Sequence, residues 1–433
     1  MNEEEIERLC ELRKRRYIDA INMREPDRVP YAPRGTLYAA IQNGMTVKEA
    51  NYNPEKMYEA ALKILPQYEW DLASAGILGL QSGPIMDIME VKTLKWAGAK
   101  NPQSRLPDNS TVQYIEGEYM KAEDYKEILA DPTHFVMRKI LPNLCGVFKP
   151  FAQFPNFAHL QSLNGLMGIP IWFMNSEVMK LVQKIGEVRQ IMRRSNQASM
   201  KYLSEMRKLG FPSLNMRRDA FSFAPFDMVG DQLRGLRGVM KDMYQRPEEL
   251  KALIEMFIEP LSEIVSPSLV GRSQEIAPMV FMPLHRGADG FMSDEQFAEF
   301  YWPSLAKVMD NFIKQGYIAT PFIEGSYNDR LEYLEEFAKS HKGKVCYMFD
   351  RTDIIKVKER MGDYAIIRGN IPATLFIAGT PSQMEDYVKK ILDGCKEGGG
   401  YILDGGVGLP ERSKHENVMA VTKALEKYGY SRK

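Results

Sequence analysis

Tyr317-Ile318-Ala319-Thr320-Pro321-Phe322-Ile323-Glu324-Gly325 is an apolar run that ends abruptly on a carboxylate and a glycine. A short continuous apolar segment bounded by turn residues reads as a buried strand, and the glycine lets the backbone turn sharply at its end. The pattern recurs on both sides. Residues 278–283, 345–349, 364–367 and 401–403 are each apolar, and each is followed by a polar loop and a helical stretch. Such repetition predicts a parallel sheet covered by helices. With further strand candidates at 68–72 and 211–216, the expected fold is α/β, a closed (β/α)8 TIM-type barrel spanning residues 1–433 as one domain. The competing open, doubly wound sheet calls for a Gly-x-Gly-x-x-Gly turn after the short strand at 29–32, and none is present.

Two regions stand outside this rhythm. Residues 3–20 place Ile6, Leu9, Leu12 and Ile18 at helical spacing among charges, an N-terminal amphipathic helix that Pro26 and Pro30 terminate. From about 82 to 173 prolines interrupt short polar and aromatic segments, which predicts an insertion over the barrel, a cap or lid.

Composition narrows the function classes. The 57 basic residues balance 57 acidic ones without a long basic run, which argues against nucleic acid and anionic membrane as partners. Cys10, Cys145, Cys346 and Cys395 show no Cys-x-x-Cys spacing, as expected of a reduced compartment. With an acidic N-terminus and no apolar stretch approaching the ~18 residues of a membrane span, the expectation is a soluble, cytoplasmic protein, and a homodimer is compatible with it.

Catalytic groups of such barrels sit at the C-terminal ends of strands. Here that rule selects His285-Arg286-Gly287-Ala288-Asp289, Glu324, Asp350, Asn370 and Asp404. Glu324 reads as a reactive carboxylate or a capping, salt-bridged one; Asp404, before a double glycine, as a ligand-facing group or a turn residue. Asp350 shares a strand face with Cys346 and Met348 by two-residue alternation, which aims it inward. Cys346 itself reads as a small core residue. His285, with Arg286 and Asp289 beside it, forms a compact ionisable cluster, although a lone histidine is more often structural. The aromatics of Phe221-Ser222-Phe223-Ala224-Pro225-Phe226-Asp227 read as ordinary core or as an apolar slot for a planar ring.

Several segments resemble the uroporphyrinogen-decarboxylase-like superfamily. They are Arg16-Tyr17-Ile18-Asp19-Ala20, Pro26-Asp27-Arg28-Val29-Pro30, Gly290-Phe291-Met292-Ser293, Gly369-Asn370-Ile371-Pro372 and Gly405-Gly406-Val407-Gly408-Leu409-Pro410. In thiol-methylating members, His-x-Cys-Gly and Gly-Cys-Gly-x-Pro hold a zinc; Phe322, Glu324 and Val407 stand at those positions, so a thiolate zinc site is excluded. Decarboxylase members carry an arginine-rich N-terminal loop for the carboxylates of a tetrapyrrole, where Pro30-Tyr31-Ala32-Pro33-Arg34-Gly35 offers one arginine. The stretch from Pro225-Phe226-Asp227 through Gly230-Asp231-Gln232-Leu233-Arg234-Gly235 is most similar to corrinoid-protein methyltransferases that demethylate methoxylated aromatics.

The resemblance implies methyl transfer from a small methylated, aromatic substrate to the Co(I) corrinoid of a partner protein. Taken with the strand-end positions and the aromatic stretch, this gives catalysis to Glu324, His285, Asp404 and Asp350, and substrate binding to Phe322, Phe223, Phe226, Asn370, Arg286, Asp289 and Tyr401. A zinc on Glu324, His285 and Asp404 would polarise the ether oxygen. A methylamine or thioether donor, or a non-catalytic tetrapyrrole- or corrinoid-binding barrel, are the alternatives.

Overall fold

A computed structural model describes residues 2–35, 37–73, 82–156, 160–212, 220–263 and 277–430. Among the described residues nine strands are formed: β1 Leu94–Ala97, β2 Arg105–Leu106, β3 Gln113–Tyr114, β4 Ala220–Phe221, β5 Met279–Leu284, β6 Ile318–Ile323, β7 Cys346–Phe349, β8 Ile366–Ile371 and β9 Tyr401–Gly405. The last six make one sheet in sequential order β4-β5-β6-β7-β8-β9, every pair parallel. Helices cross over between successive strands from β5 onward, as parallel pairing requires.

Beyond β9 the sheet continues through two shorter pairings. Ala32 N donates to Leu403 O (3.1 Å) and Leu403 N to Pro30 O (3.0 Å), a parallel register, and Asp71 N donates to Tyr31 O (2.8 Å). Neither segment forms the strand expected of it: 29–32 contributes an isolated bridge at Tyr31 and 68–72 a single backbone hydrogen bond. The strand expected at 211–216 falls mostly outside the described residues, and among the described residues the sheet is not closed into a ring.

Two-residue alternation divides the sheet into two apolar faces. On one, Ile318, Phe322, Cys346, Met348, Ile366 and Ile402 pack with Tyr17, Ala20 and Ile21 of the N-terminal helix Glu3–Ile21. Because Ile318, Cys346 and Ile366 begin their strands, this helix plugs the floor of the inner face. The helix starts at a capping box, Asn2 and Glu5 exchanging side-chain and backbone hydrogen bonds. On the opposite face Met282, Leu284, Ala319, Ile323, Tyr347, Phe349, Ile367 and Leu403 lie beneath the covering helices.

Residues 82–156 depart from the strand-helix repeat, as the prolines predict. β1, β2 and β3 form a small separate sheet in the order β2-β1-β3, with Met86, Trp96 and Ala99 as its own core. The segment after β3 docks on residues 231–236: Tyr119 N and Met120 N both donate to Leu233 O (2.8 Å each), and Tyr114 Oη donates to Asp231 O (2.5 Å).

Candidate active site

The strand ends of β5 and β6 carry His285 and Glu324 to adjacent positions, Nε2 of the imidazole 3.9 Å from Oε1 of the carboxylate. These side chains are 35% and 47% exposed, so the pair opens to solvent while what holds it does not. The holding is done by the helix Pro225–Val229 and the π-helical turn Gly230–Arg234, which present Asp227 and Asp231 four residues apart. Asp227, fully buried, accepts from the backbone N–H of His285 (2.9 Å), the N–H of Arg286 (3.0 Å) and Tyr301 Oη (2.8 Å). Asp231 lies 2.6 Å from His285 Nδ1 through one oxygen and accepts from Arg286 Nε and Nη2 (3.0 and 2.7 Å) through the other.

This arrangement fixes proton positions. Burial alone lowers the basicity of His285, but its hydrogen bond to Asp231 and the charges of Asp227 and Asp231 outweigh it and raise the imidazole to about 9. At neutral pH His285 is therefore an imidazolium, with Nδ1–H on Asp231 and Nε2–H toward Glu324. Burial, with Asp231 close by, lifts Asp227 to about 6. Burial also raises Glu324, Asp350 adding to the effect and His285 opposing it.

An aromatic row leads to this pair along the inner face. Ring centroids run Phe223–Phe221 at 4.8 Å, Phe221–Phe281 at 5.9 Å and Phe281–Phe322 at 6.0 Å. Phe281 and Phe322 precede His285 and Glu324 by even steps, which puts them on the same face. At the far end the Arg34 guanidinium covers Phe322, 4.3 Å from the ring centroid.

Asp404 occupies a different environment from the one expected of a metal ligand. Wholly buried, it accepts from Arg34 Nε (3.0 Å), Arg34 N (3.1 Å), Gly405 N (2.7 Å) and Arg368 Nε (2.9 Å). Its lone pairs are committed to two guanidinium groups and two amides, so the zinc triad of His285, Glu324 and Asp404 is not assembled. Among the described residues no group of three or more His, Cys, Asp or Glu side chains is arranged to hold a metal ion.

Other expected residues also take structural places. Asp350, 17% exposed, accepts from Gly325 N (3.1 Å) and so braces the turn after Glu324. Phe226 packs in the core against Tyr301 (5.7 Å), and Tyr401 faces the helices, its Oη donating to Gly369 O (2.5 Å); neither reaches the inner face. Asn370 spends its amide on Thr352 O (2.6 Å) and Tyr387 Oη (3.2 Å). Asp289 accepts from Ser326 Oγ (2.7 Å), tying the loop after β5 to the loop after β6. Phe322 and Phe223 do lie in the aromatic row, and Arg286 joins His285 on Asp231. Sequence reasoning overlooked Asp231, Phe281 and Arg368; the four-residue spacing of Asp227 and Asp231 was the available signal for the first.

The turn after His285 tolerates no larger residue. A Cβ at Gly287 would fall on Tyr327 Oη and the Tyr301 ring, both buried beside Asp227. Gly287→Ala should lower stability by about 1–3 kcal/mol; urea unfolding measures it, and an unchanged midpoint would show that the tyrosines give way.

The family model of uroporphyrinogen decarboxylase (URO-D) matches residues 162–428. The chain belongs to the uroporphyrinogen decarboxylase family. Similar curated members include the uroporphyrinogen decarboxylase of Yersinia enterocolitica, 21% identical over 355 residues that cover 78% of this chain and 92% of that protein. The uroporphyrinogen decarboxylase of Vesicomyosocius okutanii is 24% identical over 335 residues, 74% of this chain and 93% of that one. A solved methyltransferase from Methanosarcina mazei superposes with TM-score 0.57 at 15% identity, covering 96% of this chain and 98% of its own. At that identity the likeness establishes the shared fold of the family. Among the described residues no helix is long and apolar enough to cross a membrane.

Proposed function

We propose that this family member is a methyltransferase that removes the methyl group of a methoxylated aromatic compound and delivers it to the Co(I) corrinoid of a partner protein. The observation that carries the reading is His285, held on Asp231 as an imidazolium with Nε2–H toward Glu324, at the end of strands whose inner face carries Phe281 and Phe322. A closed eight-strand barrel, capped by the 82–173 insertion, is the frame in which we read this mouth.

The partner's corrinoid would supply the nucleophile that takes the methyl carbon. The chain's own task is then the ether oxygen, which keeps the electron pair of the broken C–O bond. With a phenol near the tyrosine reference of about 10, leaving as phenolate at pH 7 lies roughly 4 kcal/mol above leaving as phenol. An imidazolium raised to about 9 is matched to that oxygen, so transfer of the Nε2 proton is close to thermoneutral. Phe221, half exposed on the aromatic row, would meet the ring, with Phe281 and Phe322 packed behind it. Glu324 would keep Nε2–H oriented until the substrate oxygen replaces it. No step needs a zinc on these residues.

Decarboxylation of a tetrapyrrole has less support. Many carboxylates require several guanidinium clamps, and at the N-terminal loop Arg34 is committed to Asp404, Gly405 O (3.2 Å) and Gly406 O (2.8 Å). The name of the M. mazei neighbour agrees with methyl transfer.

Glu324→Gln keeps the shape and removes the charge. Methyl transfer to cob(I)alamin should fall by about an order of magnitude or more, the range of a positioned acid-base group. Unchanged turnover would contradict the role given to Glu324. Methoxybenzenes should serve as donors and methylamines should not.

A further inference from the structure

Most of the large apolar side chains that stand exposed among the described residues fall between Leu163 and Met200. Leu166 (48%), Ile171 (63%), Met174 (81%), Met179 (56%) and Val182 (48%) lie within seventeen positions, on the helix Gly168–Phe173, its flanks and the start of the long helix Ser176–Lys208. A concentration of this kind on an otherwise polar surface marks an interaction site. Its methionines suit a surface that must adapt to a partner it repeatedly meets and leaves.

The long helix places the patch. Near its C-terminal end Arg207 pairs with Glu7 (2.9 Å) and Gly210 O accepts from Arg13 (2.9 Å), both on the floor helix Glu3–Ile21. Thirty-three residues span about 50 Å, against about 20 Å for a six-residue strand. The N-terminal half, bearing the patch, therefore lies away from the floor. It packs on the helix Gly83–Met89 and on Gly146–Gln153, part of the 82–156 block whose 114–120 segment grips Asp231 and Leu233 beside the active site.

Charge selects the occupant. The helix Ser176–Lys208 carries eight basic residues against three acidic ones, in a chain whose total charge is zero. Lys180, Arg189, Arg193, Arg194 and Lys201 are all exposed. A two-fold pairing of two copies would set this basic surface against itself. A protein with an apolar patch rimmed by carboxylates would be drawn to it.

We infer that the 163–185 face is the docking surface for an acidic carrier protein, the corrinoid acceptor, presented to the mouth from the side. The inference rests on the methyl-transfer reading, and the two can fail separately. Transfer from a methoxybenzene to free cob(I)alamin needs no carrier, whereas transfer to a cobalamin-loaded carrier protein needs the face.

The experiment compares wild type with Met179→Glu/Val182→Glu and, as a second surface variant, Lys180→Glu/Arg189→Glu. Each is measured against both acceptors, with carrier binding followed by calorimetry. We expect carrier-dependent kcat/KM to fall at least about tenfold, mainly through KM, and carrier binding to weaken steeply with salt. Rates with free cob(I)alamin should stay at the wild-type level. Carrier binding that neither variant disturbs would overturn the proposal. So would a monomer-dimer equilibrium abolished by Met179→Glu/Val182→Glu, or wild-type binding to phosphatidylglycerol vesicles that the same variant loses. Should free cob(I)alamin accept no methyl group, the chemistry fails, and calorimetry with the carrier still decides the docking surface.

Discussion

Replacing Asp231 with asparagine should cut methyl transfer by about 10²- to 10⁴-fold while leaving the protein folded, the size of effect seen when a histidine loses the carboxylate that fixes its tautomer. Asp231 does two things at once: it lies 2.6 Å from His285 Nδ1 and anchors Arg286 through its second oxygen. An amide can hold the ring but no longer favours the imidazolium. The imidazole's proton affinity should then fall from about 9 toward or below its ordinary value, since burial, the largest opposing influence, remains. The sign follows directly. In the proposed reaction the protonated form is the active one, so wild-type activity should persist below about 9 and be lost as pH rises through it, and the variant should lose activity at lower pH. A pH-rate profile whose alkaline limb stays in place would separate Asp231 from the catalytic proton.

The largest effect on stability should come from Asp404→Ala. Asp404 sits at 0% exposure between Arg368, itself 6% exposed, and Arg34. Removing the carboxylate leaves buried guanidinium groups uncompensated and strips Arg34 N and Gly405 N of their acceptor, which together cost about 3–5 kcal/mol. Chemical unfolding should show this loss. Asp404→Asn should recover part of it by keeping an acceptor oxygen. If Asp404→Ala unfolds like wild type, the cluster is not a structural tie between the 30–34 segment and β9.

The same residue shows where sequence reasoning ends. The strands from 279 onward were legible because each is a short apolar run closed by polar residues, and the polar end groups His285 and Glu324 followed by rule. The rule could not separate Asp404 from Glu324. Both end a strand, but the segment at 30–34 returns beside β9 and brings Arg34 onto Asp404, a contact 370 positions apart in the chain. Tyr401 was misread for a related reason, since an aromatic residue on a strand faces either the inner side or the helices and the register decides which; Phe226, on the helix Pro225–Val229, took the core reading that its stretch also allowed. Asp231 escaped because its partner lies 54 positions away in the chain. The π-helical turn that aims it has no simple sequence pattern.

The proposed reaction turns on a proton held at His285 Nε2 for a departing phenol oxygen. Single-turnover methyl transfer from a methoxybenzene to cob(I)alamin, followed anaerobically by loss of the Co(I) absorbance between pH 6.5 and 10, tests it. The expected rate is level to about pH 8.5 and declines through about 9, with His285→Gln reduced at every pH. A rate that climbs with pH, or a His285→Gln variant as fast as wild type, would contradict it.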